Sequence, residues 1–88
     1  MRLDKYLKVS RLIKRRTVAK ELCDKDKVYV NDKLANPSYI VKIGDKIKIV
    51  IGTKEIIVRV LKITESIRKE DASLMYELLE ENKIKEIN

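Results

Sequence analysis

The chain has 88 residues with four Tyr, no Phe or Trp, one Cys and no His. This describes one small domain with an aliphatic core, and it excludes an internal disulfide, a Cys/His zinc site and histidine acid–base catalysis. The net charge of +7 sits wholly in residues 1 to 20, which hold eight basic side chains and one acid; residues 21 to 88 hold thirteen of each and cancel.

The first helix is predicted over residues 2 to 9, where Leu3, Tyr6 and Leu7 fall at i, i+3 and i+4. Arg2, Lys5 and Lys8, also three apart, mark another face. Ser10 to Arg16 is a connector whose Leu12 and Ile13 should tuck inward. Thr17 is the expected N-cap of a second helix over 18 to 25, with Val18, Ala19, Leu22 and Cys23 on its buried side. The pair forms a helix hairpin with its basic connector, Lys14-Arg15-Arg16, ending at a helix N-terminus. Four of the six Arg lie in the first 16 residues, although Lys outnumbers Arg fifteen to six overall. Arg is the side chain whose planar fork grips phosphate and stacks on bases.

From Lys27 the period changes to two. Val28 to Val30 is a short strand, Asn31-Asp32 a tight turn, Leu34 to Pro37 a loop and Ile40 to Ile43 an extended stretch. Gly44-Asp45 turns the chain into a strand carrying Ile47, Ile49 and Ile51. Gly52 to Lys54 is a hairpin turn, and residues 55 to 63 form a long strand that should be covered on both faces. Residues 70 to 83 are predicted as a helix capped by Asp71 or Ser73, because Leu74, Leu78 and Leu79 repeat at i, i+4 and i+5. From Thr64 onward there are seven acids and four bases, so this is expected to be an acidic packing helix with frayed last residues. The domain reading is thus residues 1 to 63, with 64 to 88 packing on or extending it.

A cationic stripe confined to one end is the footprint of a polyanion-binding surface, since crowded like charges cost stability without a counter-charge. Asp4 is expected to be a salt-bridge partner that orients Arg2, Lys8 or a connector arginine. Cys23 has the pattern of a small core residue, and Tyr6 and Tyr29 of core-edge fillers. No Gly-rich phosphate loop and no nucleophile–base pair is present, so a non-enzymatic protein without metal or cofactor is expected. No apolar run is long enough to span a membrane, and charges at Arg2, Asp4, Lys5 and Lys8 do not fit a signal peptide. A cytoplasmic monomer with no membrane partner is the expectation.

The strings Arg2-Leu3-Asp4-Lys5-Tyr6-Leu7, Arg16-Thr17-Val18-Ala19-Lys20 and Val28-Tyr29-Val30-Asn31 resemble the ribosomal protein S4 type RNA-binding domain over residues 1 to about 61. The resemblance implies an α+β fold, the alpha-L motif: a helix hairpin packed on a small bent antiparallel sheet, here with a C-terminal helix. It implies RNA contacts from Arg2, Lys5, Lys8, Arg11, Lys14, Arg15, Arg16, Thr17, Lys20 and Asn31. Asp26 and Asp32 stand where the family usually has Gly, so both should adopt positive φ. Within the family, a copy with almost nothing else attached resembles ribosome-associated quality-control factors, relatives of the fifteen-kilodalton heat-shock proteins. That implies as partners the large-subunit rRNA, at an intersubunit hairpin, peptidyl-tRNA and a nascent-chain tailing factor, in support of alanine tailing of stalled chains. The alternatives are a structured-RNA-binding or translation-regulating module without ribosome specificity, and a DNA-binding or protein-interaction module. The last is disfavoured because the connector leads to no recognition helix rich in base-reading polar residues.

Overall fold

A computed structural model describes residues 1–84. The expectation of frayed last residues falls at 85 to 88, outside the described residues. The chain runs α1 (Leu3–Val9), α2 (Arg16–Asp24), β1 (Val28–Val30), β2 (Lys33–Leu34), β3 (Lys46–Ile51), β4 (Lys54–Val60), a 3-10 segment (Lys69–Met75) and β5 (Tyr76–Lys83). The strands form one antiparallel sheet in the order β2-β1-β3-β4-β5. The expected α+β class and the helix hairpin on an antiparallel sheet are both present.

The core forms where the helical and strand periodicities meet. Leu3, Tyr6 and Leu7 of α1 and Ala19 and Cys23 of α2 pack with Val28, Val30, Ile47, Ile49, Val58 and Val60. In the sheet, Val28 pairs with Ile49, Val30 and Val58 both with Ile47, and Ile56 with Ile49, so alternate residues line one face. Tyr6 is fully buried rather than at the edge, and its hydroxyl donates to the Met75 carbonyl over 2.7 Å. Cys23 is a buried core residue as expected, and burial pushes its thiol up to about 11. Tyr29 alternates onto the opposite face, where the Lys48 ammonium lies 4.4 Å from its ring centroid.

Positive φ occurs at Asp26 (59°), Asn31 (50°) and Asp32 (68°), as the tight connections require. Asn31 and Asp32 join β1 to a two-residue β2, so the expected loop from Leu34 begins with a short hairpin.

Two expectations are corrected. β4 is not covered on both faces: Val58 and Val60 are buried, whereas Arg59 and Leu61 are exposed. The C-terminal helix is confined to the 3-10 segment Lys69–Met75, and Tyr76–Lys83 is a strand on the free edge of β4, running from Val60↔Tyr76 to Lys54↔Lys83. The edge of β4 offers a row of unpaired N–H and C=O groups, and satisfying them outweighs the helix propensity of a Leu/Glu-rich stretch. A register shift at Ile57/Val58 breaks the alternation in β5, which leaves Tyr76 and Leu79 half-buried and Leu78 52% exposed. That three-residue spacing imitates a helix. The acids have strand partners: Glu81 bridges Lys54 over 2.9 Å, and Glu77 stands opposite Arg59.

Candidate nucleic-acid interface

The candidate interface is organised around Asp4, which lies in the first turn of α1 and is only 3% exposed. Its carboxylate accepts from Arg2 Nε and Nη2, both at 3.2 Å, from Arg16 Nη2 at 3.3 Å and from the Lys5 N–H at 2.8 Å. Burial alone would raise the Asp4 pKa; the bonds from Arg2, the Lys5 N–H and Arg16 outweigh it and hold the carboxyl below its ordinary value. One buried charge thus fixes two guanidinium groups, one from the entrance of each helix. Both arginine side chains stay 47% exposed, so their remaining N–H donors face solvent. This is the orienting role expected for Asp4, with Arg16 rather than Lys8 as the second partner.

Thr17 does not cap α2. The helix begins at Arg16, Arg15 is the N-cap in an extended conformation, and no side chain caps the end. The extended entry of Arg15 starts the helix two residues earlier than expected, which turns Thr17 into an exposed first-turn residue. The first N–H groups of α2 are therefore left without a side-chain acceptor beside Arg15 and Arg16.

At the other end of α1, Arg11 occupies the left-handed position (φ 61°) in which a helix usually terminates with Gly, and its N–H donates to the Lys8 carbonyl over 3.0 Å. Ser10 is buried, with its hydroxyl donating to the Leu7 carbonyl over 3.2 Å. Ile13 is anchored inward as expected, its N–H donating to the same carbonyl. The connector is thereby held rigidly while Arg11, Lys14 and Arg15 stay exposed. Lys8 and Lys20 are exposed as well, and among the described residues Lys8, Arg11, Lys14, Arg15 and Lys20 make no ion pair.

Lys5 is different, because it pairs with Glu65 from the segment after β4. This acid on a basic face carries no local signal in the sequence; only the return of the chain past α1 brings it there. Asn31 is engaged elsewhere. Its amide donates to buried Asp45 over 3.0 Å, and its carbonyl accepts from the Lys46 N–H over 3.0 Å. Asp45 also accepts from the Tyr39 hydroxyl at 2.8 Å and the Lys42 N–H at 2.9 Å. Among the described residues no group of acids and cysteines could hold a metal ion, and no helix is long and apolar enough to cross a membrane.

A helix hairpin on an antiparallel sheet, with a cationic row along its entrance, defines a class, and the comparisons agree with it. The S4 domain family model matches residues 1–47, and the chain belongs to that family. Over nearly its whole length it is similar to the RQC P-site tRNA stabilizing factors of Streptococcus pneumoniae (52% identical over 86 residues, 98% of each chain) and Bacillus subtilis (46% over 86 residues, 98% of this chain and 100% of that one). Heat shock protein 15 of Escherichia coli is 37% identical over 78 residues, 88% of this chain and 59% of that one. Among solved structures, the trimeric Vibrio cholerae heat shock protein 15 superposes with a TM-score of 0.84 at 32% identity, covering 90% of this chain and 81% of that one.

Proposed function

We propose that the protein is a non-catalytic RNA-binding factor that docks its helix hairpin on the large ribosomal subunit during ribosome-associated quality control. There it touches rRNA and the peptidyl-tRNA left on the subunit, and so supports alanine tailing of the stalled chain by a tailing factor on the same particle. The observation that carries the RNA reading is the convergence of Arg2 and Arg16 on buried Asp4. Two half-exposed forks in fixed relation suit phosphates displayed in fixed geometry, as in folded RNA, better than a flexible strand. Arg15 and the uncapped start of α2 add donors, and Lys5, Lys8, Arg11, Lys14 and Lys20 extend the field. Thr17, in the first turn of α2, is a further hydrogen-bonding group on this face. Asn31 contributes by bracing the β1–β2 turn through Asp45. The ribosomal assignment draws its support from the likeness to the P-site tRNA stabilizing factors.

The test is sucrose-gradient sedimentation of the tagged chain, with sequencing of the RNA it retains. The protein should travel with free large subunits, and Arg16→Glu should return it to the top of the gradient. Recovery on another structured RNA would favour a general translation-regulating module instead.

A further inference from the structure

We infer that the cleft between the hairpin connector and the 3-10 segment is a second phosphate site for the bound RNA, in which Lys69 supplies a contact from the C-terminal part of the chain. The inference rests on the RNA-binding reading above and adds a site to it. The cleft, of about 440 Å³, is lined by Arg11, Lys14 and Lys69. Two of these cations come from the connector and the third from a segment 55 residues beyond Lys14.

Among the described residues none of the three makes an ion pair, and no acid lines the cleft, although Glu70 and Asp71 follow Lys69 in sequence. Three like charges around one concavity repel one another, and a bound anion removes that cost. The walls are firmly held. Met75, which ends the 3-10 segment, is fully buried, and its carbonyl accepts from the Tyr6 hydroxyl of α1 and from the N–H groups of Leu61 and Lys62. On the opposite wall, the connector keeps Arg11 in the left-handed region, where a Gly would relieve the strain but remove the cation.

Arg2 precedes α1 and Arg11 follows it, and seven helical residues span about 10 Å, so Arg11 and Lys69 carry the contact beyond the Arg2–Arg16 pair while Lys14 lies between the two. Lys5 on α1 is already paired with Glu65, whereas the three cations of the cleft make no ion pair among the described residues.

The test is the affinity of the full-length protein for purified large ribosomal subunits across a potassium chloride series. Lys69→Ala should weaken binding several-fold and reduce the slope of log K against log salt by about 0.7–0.9, the loss of one phosphate contact. Lys69→Glu should weaken it further. Lys83→Ala, at the far end of β5, should bind as wild type. If both Lys69 variants bind as wild type while Arg16→Ala is weakened, the second site is overturned and the hairpin interface stands. If Arg16→Ala also binds as wild type, both fall.

Discussion

Arg16, the first residue of α2, reaches across the hairpin to place its Nη2 atom 3.3 Å from Oδ1 of Asp4 in the first turn of α1. An acid at the centre of a basic face opposes a polyanion by simple charge counting, yet its carboxylate is what fixes Arg2 and Arg16. Asp4→Ala raises the net charge by one and should nonetheless weaken binding to large ribosomal subunits several-fold. Asp4 is buried and also accepts the Lys5 N–H, so the loss of stability should be about 1–3 kcal/mol. Affinity and thermal midpoint measured together check this, and tighter binding by Asp4→Ala would refute the positioning role.

Arg11 tests strain against function. A non-Gly residue in the left-handed region pays roughly 1 kcal/mol relative to Gly. Arg11→Gly should therefore raise stability by about 0.5–1 kcal/mol in urea unfolding while lowering affinity for the subunit. A variant that gained neither stability nor lost affinity would show that the connector is set by something else.

Acid unfolding should report on Asp4 and Asp45. Burial works to raise the Asp45 pKa, but the bonds from the Lys42 N–H, Asn31 and Tyr39 and the charge of Lys42 outweigh it, so it sits below its ordinary value, as Asp4 does. A carboxyl depressed in the folded state stabilises fully above the unfolded value, and the gain is lost as pH falls through the folded value. The thermal midpoint should thus decline below about pH 4. Asp45→Asn should be less stable at neutral pH and lose less on acidification. A wild-type midpoint that rose from pH 4 to pH 2 would contradict this.

The core predicts the converse of the surface. Ile49 is fully buried between Val28 and Ile56 in the sheet register, so Ile49→Ala should cost about 2–5 kcal/mol through the cavity it leaves. Tyr6→Phe removes a buried bond to the Met75 carbonyl and should cost about 1–2 kcal/mol. Calorimetric midpoints check both. Subunit affinity of Ile49→Ala, measured at a temperature where the variant remains folded, should stay near wild type.

Features that depend on neighbours along the chain are legible in the sequence. Leu3, Tyr6 and Leu7 mark α1 by spacing alone, Val28 and Val30 mark β1, and Asn31-Asp32 turns the chain because short polar side chains tolerate positive φ. The concentration of charge in residues 1 to 20 also needed no structure. The tertiary structure decided whatever depends on pairing between distant segments. Tyr76–Lys83 becomes a strand because the edge of β4 is there to be satisfied, and the register shift at Ile57/Val58 hides the period of two that would have revealed it. The sequence marks Asp4 as a salt-bridge partner, but its choice of Arg16 depends on how the hairpin closes. Glu65 against Lys5, and Lys69 beside Arg11 and Lys14, arise only because Met75 is locked beneath Tyr6 and carries its segment back past α1. Hydrophobic period and local charge are properties of consecutive residues, whereas these contacts are fixed by packing between elements far apart in the chain.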